Sequence, residues 1–156
     1  MNKLIIGKSV PTFSLPSTAG DIWKLTNAKG KMLVVYFYPR DNTPGCTTES
    51  AGFRDYYSQF KKAGVEVIGI SADSLSSHEK FKAKLDLPFD LLADTDHQVC
   101  ELFNVYKEKT LYGKKFMGIE RSTFLIDAAG KLRHEWRKVK VAGHVEAVLA
   151  EAIKPD

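Results

Sequence analysis

The segment Thr43-Pro44-Gly45-Cys46 places a thiol at the start of a predicted helix. Thr43 is a favourable N-cap residue, and Pro44 suits the first helical position because the N–H it lacks would be unpaired there. Cys46 then lies in the first turn, near unpaired backbone N–H groups and the positive end of the helix dipole. Both features favour the thiolate, which is the nucleophilic form of cysteine. The spacing therefore predicts a reactive thiol, whereas residue type alone also allows a small buried residue.

A βαβ unit is predicted around this thiol. Residues 32–38 are apolar throughout, as in a strand that is covered on both faces. The helix that follows ends at Gly64 and has one aromatic face, made of Phe53, Tyr56, Tyr57 and Phe60. Residues 65–71 form the next strand, so the two strands are parallel with a right-handed crossover. Ligands of such sheets bind beyond the carboxyl ends of the strands, and Cys46 follows the first of them.

The rest of the chain is predicted to alternate between strands and helices. Hairpins join residues 13–15 to 22–25 and residues 123–127 to 132–136, and residues 91–93 form a short strand. Helices open at Ser76-x-x-Glu79 and Thr95-x-x-Gln98 and end near Leu85 and Phe103. A C-terminal helix has an apolar stripe of Val145, Val148, Leu149, Ala152 and Ile153. These elements predict one three-layer α/β domain with a mixed sheet over residues 1–156.

Length and composition exclude several classes of protein. The chain has 156 residues, of which 44% are hydrophobic and 27% charged, which excludes disorder, collagen and a coiled coil. The longest apolar run is too short to span a bilayer, and residues 1–8 do not resemble a secretory signal, so we expect no membrane partner. The net charge of +4 does not indicate a dedicated nucleic-acid binder. Basic clusters at residues 107–115 and 131–140 read as solvated faces, with an acidic protein or a nucleic acid as the alternative partner.

The two cysteines, Cys46 and Cys100, lie far apart in the sequence. They form neither a disulfide framework nor a C-x-x-C dithiol. His97-x-x-Cys100 is a weak metal signal, and the chain has no phosphate loop or dinucleotide fingerprint, so we expect no metal and no cofactor. Two thiols without an export signal indicate a reducing compartment, which is the cytoplasm.

Pro39-x-x-x-Thr43-x-x-Cys46 resembles the active-site signature of the peroxiredoxins. Thr43-Pro-Gly-Cys46-Thr, followed by Phe53-Arg-Asp55, is similar to the subfamily of bacterioferritin comigratory protein, also called peroxiredoxin Q. Residues 10–16, 94–105 and 118–127 are similar to it as well. The resemblance implies a thioredoxin-like three-layer fold, with a central mixed β-sheet flanked by helices and an N-terminal β-hairpin. It also implies a monomeric thiol-dependent peroxidase, an antioxidant oxidoreductase of cell redox homeostasis that reduces hydrogen peroxide and organic hydroperoxides.

The resemblance implies a role for each residue that matches the family. Cys46 would attack the peroxide O–O bond and become a sulfenic acid, Thr43 would hydrogen-bond the peroxide, and Pro39 would shield the sulfenic acid from water. Arg121 would hold the thiolate and polarise the peroxide, and Glu49 would be an accessory residue. The sequence alone does not place Arg121 or Glu49 at Cys46. Arg121 otherwise reads as a strand-edge residue, and Glu49 as a surface acid in the first helical turn.

The chain departs from the subfamily at the resolving cysteine, because Ala51 and Lys82 stand at its two usual positions. Three routes can recycle the sulfenic acid: attack by an external thiol or redoxin, attack by Cys100, or condensation between two Cys46 residues. We favour the first, a one-cysteine mechanism with thioredoxin, glutaredoxin or a small thiol as reductant. Nothing in the sequence brings Cys100 within disulfide distance, and it otherwise reads as a buried structural thiol.

Two other functions are compatible with the same fold. A redox sensor or chaperone-like binding module would oxidise Cys46 once and present the change to a partner. A thiol–disulfide oxidoreductase is disfavoured, because it needs two neighbouring thiols. Among the other polar residues, His134 reads as half-buried in a strand and His144 as a surface residue at a helix start.

Overall fold

The computed structural model describes residues 4–154. Its strands are β1 (Ser14–Pro16), β2 (Ile22–Lys24), β3 (Met32–Phe37), β4 (Val65–Ser71), β5 (Leu91–Ala93), β6 (Tyr106–Leu111), β7 (Lys114–Ile119), β8 (Ser122–Ile126) and β9 (Leu132–Trp136). Its α-helices are α1 (Pro44–Lys62), α2 (Leu75–Leu85), α3 (Gln98–Leu102) and α4 (His144–Ala152), and a 3-10 helix, Leu25–Ala28, follows β2. Residues 1–3 and 155–156 lie outside the described range. The first three belong to residues 1–8, for which the sequence predicted no secretory signal.

Strand β3 lies at the centre of a five-stranded sheet with the order β5-β4-β3-β8-β9. It pairs in parallel with β4, which pairs in parallel with β5, while β8 is antiparallel to both β3 and β9. Strands β1 and β2 form a separate antiparallel hairpin. The predicted βαβ unit, the mixed sheet and both predicted hairpins are therefore confirmed.

The side chains of β3 alternate between two parts of the core, because successive strand residues point to opposite faces of the sheet. Leu33, Val35 and Phe37 pack with residues of the N-terminal hairpin and α3. Val34 and Tyr36 pack with residues of α1, α2 and α4. Since elements cover both faces, the strand is apolar at every position, as a doubly covered strand should be. The three predicted layers are confirmed.

The start of helix α2 differs from the prediction. Ser74, and not Ser76, is the N-cap residue, and its hydroxyl accepts a hydrogen bond from the Ser77 N–H at 3.1 Å. The helix therefore begins at Leu75, and the predicted capping box is wrong. Several serines in succession offer the same capping chemistry, so spacing alone does not choose between them.

Helix α3 is shorter than predicted, since it spans Gln98–Leu102 and does not begin at Thr95. The Asp94 carboxylate accepts hydrogen bonds from the backbone N–H groups of Val99 at 3.2 Å and Cys100 at 2.7 Å. Because this carboxylate already satisfies the first turn, Thr95 is not needed as a cap. The C-terminal stripe also needs one correction: Ile153 lies beyond α4 and is 57% exposed.

Strands β6 and β7 form a further antiparallel hairpin, which the sequence analysis did not predict. Lysines interrupt the apolar alternation of this segment, so its strand pattern is weak. Its four lysines are exposed or half-buried, so this segment faces solvent, and the interpretation of residues 107–115 as a purely solvated face stays a prediction. Within residues 4–154, no helix is long and apolar enough to cross a membrane.

Candidate active site

Cys46 lies in the first turn of α1, as predicted, and is completely buried. Pro44 is the first helical residue and Thr43 the N-cap residue, in extended backbone conformation. The Thr43 side chain makes no cap hydrogen bond within the described residues, and its hydroxyl donates instead to the Arg40 carbonyl oxygen at 3.1 Å. Helix N–H groups without a side-chain cap remain able to stabilise negative charge at the helix start.

Arg121 reaches Cys46 across the sheet. Its Nη2 donates a hydrogen bond to the Cys46 Sγ at 3.4 Å. The register of β3 against β8 explains this contact, because Phe37 pairs with Ser122 and Arg121 therefore lies beside the start of the loop that leads to Cys46. The Val139 N–H donates to the Arg121 carbonyl oxygen at 3.0 Å and holds its backbone in place. Arg121 therefore contacts Cys46, which the interpretation as an ordinary strand-edge arginine did not foresee, and its role toward a peroxide stays a prediction.

Gly45 leaves the space that the Arg121 guanidinium occupies. A Cβ atom at position 45 would lie 3.0 Å from Arg121 Nη2, which is closer than ordinary van der Waals contact. Glycine at this position therefore lets the cation pass over the helix start and reach the sulfur of Cys46.

Glu49 is fully buried in the second turn of α1, so its reading as a surface acid in the first turn is wrong. Its Oε1 accepts a hydrogen bond from Arg121 Nη1 at 2.6 Å, while Oε2 has no hydrogen-bond partner among the described residues. Burial raises the pKa of the Glu49 carboxyl to about 7, against the opposing effect of the Arg121 charge. Arg121 therefore bridges this carboxyl and the thiol, which fixes the guanidinium in one orientation.

His144 is buried, with 6% of its surface exposed, and the prediction of a surface residue is wrong. Its Nε2 lies 2.7 Å from Thr123 Oγ1 and 3.9 Å from Glu49 Oε2. Burial and the nearby positive charge of Arg121 lower the pKa of His144 to about 4, so the ring is neutral at neutral pH. A sequence signal existed, because His144 precedes Val148 by four residues and so continues the apolar stripe of α4.

Pro39 is half-buried and is the second residue of the loop at 38–43 between β3 and α1, and Thr43 ends that loop. Among the described residues, the Thr43 hydroxyl is not hydrogen-bonded to Cys46, and the Pro39 side chain has no polar atom. Their roles toward a peroxide therefore remain predictions. His134 is half-buried in β9, as expected.

Cys100 lies on the opposite face of the sheet from Cys46. It belongs to the part of the core formed with the N-terminal hairpin, whereas Cys46 packs with α1, α2 and α4. Burial, and then the negative charge of Asp94, raise the pKa of the Cys100 thiol far above its ordinary value. At the usual resolving positions, Ala51 is half-buried in α1, and Lys82 Nζ pairs with the Asp90 carboxylate at 2.8 Å.

Comparisons with known proteins identify the class. Residues 6–135 match the AhpC/TSA family. The peroxiredoxin Bcp of Bacillus subtilis is 51% identical over 144 residues, which cover 92% of this chain and 92% of the relative. The putative peroxiredoxin bcp of Coxiella burnetii is 52% identical over 144 residues, which cover 92% and 95%. Among solved structures, peroxiredoxin Q of Xanthomonas campestris is 48% identical, with a TM-score of 0.86 over 90% of this chain and 89% of that chain.

These matches confirm the thioredoxin-like fold and define a thiol-dependent peroxidase, an enzyme that reduces peroxides with electrons from a thiol. The chain belongs to the AhpC/TSA family, and within it to the Bcp/peroxiredoxin Q group. Because the identity extends over most of the chain, the resemblance inferred from the short motifs is confirmed along its length.

Proposed function

We propose that this enzyme reduces hydrogen peroxide and organic hydroperoxides through a sulfenic acid at Cys46, with electrons from an external thiol. The observation that carries the proposal is the 3.4 Å contact between Arg121 Nη2 and the Cys46 Sγ. This contact provides a fixed positive charge where a thiolate and a leaving oxygen need one. The bacterioferritin comigratory protein of Xanthomonas campestris, whose structure has been solved, has alkyl peroxide reduction activity, which supports organic hydroperoxides as substrates.

In the first half-reaction, the Cys46 thiolate attacks one oxygen of the peroxide. An S–O bond forms, the O–O bond breaks, and the leaving oxygen takes a proton and departs as water or an alcohol. Negative charge moves from sulfur to that oxygen, so donors near both atoms stabilise the transition state more than the ground state. We assign this role to Arg121 and to the Thr43 hydroxyl, and we assign to Pro39 the exclusion of water from the sulfenic acid.

In the second half-reaction, an external thiol attacks the sulfenic acid, releases water and leaves a mixed disulfide. A further thiol reduces that disulfide and regenerates Cys46. The place of Cys100 on the other face of the sheet supports this one-cysteine route, and so does its strongly raised pKa. The residues Ala51 and Lys82 support it as well, because neither can form a disulfide.

The intact mass of the oxidised protein tests the mechanism. One equivalent of hydrogen peroxide without any thiol should add about 16 Da, or about 32 Da after overoxidation, to the reduced protein. A loss of about 2 Da would instead show a Cys46–Cys100 disulfide, and a doubled mass would show a disulfide between two chains. Cys46→Ser should show neither the mass change nor any turnover, and Cys100→Ser should behave as the unchanged protein does.

Repeated turnover with dithiothreitol or reduced thioredoxin tests the catalytic cycle itself. An enzyme consumes many equivalents of peroxide, whereas a sensor or chaperone-like module would stop after one. Consumption of a single equivalent in the presence of excess thiol would therefore contradict the proposal.

We also propose that the enzyme works as a monomer in the cytoplasm, where thioredoxin, glutaredoxin and small thiols are kept reduced. The described residues around Cys46, including Arg121 and Glu49, come from one chain, which supports a site that needs no second copy. Light scattering of the reduced protein should give the mass of one chain, 17.5 kDa. A dimer mass would overturn the monomer.

A further inference from the structure

The hairpin of β6 and β7 has two faces of different composition. Residues that pair directly across an antiparallel ladder place their side chains on the same face of the sheet. The pairing of Lys109 with Phe116 and of Leu111 with Lys114 therefore defines one face. We call the residues on that side of the hairpin the lysine face: Lys107, Lys109, Leu111, Lys114, Phe116 and Gly118. It contains three lysines and no acidic residue.

The opposite face of the hairpin is anchored at its base, and its charges are paired. Tyr106 and Ile119 pack there against the part of the core that contains residues of α3. Farther along the hairpin, the Lys115 Nζ lies 3.8 Å from the Glu108 Oε1. The lysine face is therefore the side whose positive charges the hairpin itself does not balance.

Exposed apolar side chains lie among these lysines. On the lysine face, Leu111 is 57% exposed and Phe116 is 45% exposed, and Tyr112 in the adjoining turn is 96% exposed. Burial of apolar surface stabilises complexes, so neighbouring exposed apolar side chains with a polar rim are typical of an interaction site. The combination of apolar and basic side chains fits a partner that offers apolar and acidic groups.

The lysine face extends to the reactive thiol. Gly118 lies three residues before Arg121, whose Nη2 contacts the Cys46 Sγ at 3.4 Å. A Cβ atom at position 118 would lie 3.3 Å from the Lys109 Cδ, so the stem of Lys109 passes over Gly118. Burial lowers the pKa of the Lys109 ammonium, the Arg121 charge lowers it further, and a negative charge at Cys46 raises it. Lys109 therefore lies within electrostatic range of the sulfur.

Oxidation of Cys46 leaves the positive charges around it less balanced. A thiolate carries a negative charge, whereas the protonated sulfenic acid that replaces it is neutral. Arg121 keeps its ion pair with Glu49 at 2.6 Å. Lys109 makes no hydrogen bond or ion pair among the described residues, although the charge of Glu120 acts on its pKa. The oxidised site, which awaits a thiol, therefore attracts negative charge more strongly than the reduced site.

We propose that the lysine face docks an acidic protein whose thiol reduces the Cys46 sulfenic acid. This inference rests on the thiol-dependent cycle proposed above, and it specifies the reductant as a redoxin with acidic and apolar groups around its thiol. A small thiol needs one cation at most, whereas this face extends over three lysines and two apolar side chains. Its extent therefore favours a protein partner.

The lysine face acts on the encounter and not on the bonds that change. The partner's thiolate attacks the sulfenic sulfur, an S–S bond forms, and the hydroxyl leaves with a proton as water. A second thiol of the partner then breaks this disulfide, which releases reduced Cys46 and leaves the partner oxidised to a disulfide. The lysines raise the rate of association with an acidic partner, and Leu111 and Phe116 slow its dissociation.

Charge reversal on the lysine face is the main test. Lys114→Glu should lower kcat/KM for reduced thioredoxin or glutaredoxin, whichever reacts faster, about threefold at low salt, and Lys107→Glu/Lys114→Glu about tenfold. Both variants retain Lys109, so the rate with uncharged dithiothreitol should change less than about twofold. The matched control is Lys115→Glu, which makes the same charge change on the opposite face and should leave both rates unchanged.

The apolar part of the lysine face is tested separately. Phe116→Ser should raise KM for the same redoxin severalfold and leave the dithiothreitol rate unchanged, because serine removes apolar contact area. Met117→Ser is the matched control, since Met117 is 51% exposed on the opposite face of the hairpin. Circular dichroism checks that each variant is folded.

The outcomes separate this proposal from the proposed function. Redoxin rates that are equal in the unchanged protein and both charge-reversed variants would overturn docking on this face, and so would equal slowing by Lys115→Glu. A dimer that Lys107→Glu/Lys114→Glu converts to a monomer would also overturn it, because the face would then bind a second copy of the chain. Turnover with dithiothreitol but with neither redoxin would overturn the protein partner alone. Absence of turnover with every thiol would overturn the proposed function itself.

Discussion

The two cysteines occupy matching positions and have opposite surroundings. Each is the third residue of its helix, Cys46 in α1 and Cys100 in α3, and each is completely buried. Arg121 brings a cation to 3.4 Å from Cys46. At Cys100, the Asp94 carboxylate takes the first-turn N–H groups and brings a negative charge instead. A helix start and burial are common to both thiols, so the sign of the neighbouring charge is what distinguishes their surroundings.

Removing the Arg121 guanidinium, which separates the surroundings of Cys46 from those of Cys100, should have the largest effect. Arg121→Ala should lower the rate of Cys46 oxidation by hydrogen peroxide by about 10²–10³, the usual cost of one charge-stabilising donor. Arg121→Lys should recover part of that loss, because it restores the charge without the two-pronged contact to Glu49 and Cys46. Stopped-flow oxidation under single-turnover conditions measures both. A rate for Arg121→Ala within tenfold of the unchanged protein would contradict the assigned role.

Removing the Asp94 carboxylate should make the surroundings of Cys100 more like those of Cys46, because the thiol then lacks a neighbouring negative charge. Asp94→Asn should lower the pKa of Cys100, because it deletes a like charge but leaves the burial. Thiolate absorbance against pH, measured in a Cys46→Ser background, reports this shift. Glu101→Gln is the control, since Glu101 is exposed and contributes less to the shift. An unchanged Cys100 titration in Asp94→Asn would mean that burial alone controls this thiol.

Displacing the guanidinium should have a moderate effect. Gly45→Ala would place a Cβ 3.0 Å from Arg121 Nη2, so the cation must shift away from Cys46. The peroxide rate should fall about tenfold, while the thermal midpoint stays the same or rises, because alanine favours helix over glycine. Parallel loss of activity and stability would show that Gly45 matters for folding and not for the approach of Arg121.

The smallest effect concerns the pH dependence of stability. The pKa of Glu49 is raised from 4.5 to about 7 in the folded protein. Its stabilising contribution is therefore complete below about pH 4.5 and is lost as the pH rises through about 7. Glu49→Gln lacks this loss, so its thermal midpoint should gain a few degrees over the unchanged protein between pH 5 and pH 8. A difference that does not depend on pH would show that the Glu49 carboxyl is already ionised at pH 5.

Local signals predicted the position of Cys46 in the first turn of α1 well. The run Thr43-Pro44-Gly45 defines a helix start, and a helix start depends on neighbours in sequence. The contact with Arg121 could not be predicted from the residues alone, because it depends on the pairing of β8 with β3. Only the family resemblance indicated that Arg121 contacts Cys46, because related sequences share a fold and therefore the contacts that the fold creates.

Residues that act through burial were the hardest to predict. His144 and Glu49 were read as surface residues because polar residues are usually exposed. Asp41 and His78 were not singled out, although His78 precedes Phe81 by three residues and so shares its buried helical face. Their partners lie on other segments, and only the packing of α2 against the loop brings them together.

The long separation between Cys46 and Arg121 in the chain also has a consequence during synthesis. Ribosomes deliver the N-terminal residues first, so Cys46 and its helix leave the tunnel well before β8. A nascent chain at that stage has the thiol but not its cation. The contact between the thiol and its cation therefore forms only when β8 joins the sheet beside β3, after both segments have been synthesised.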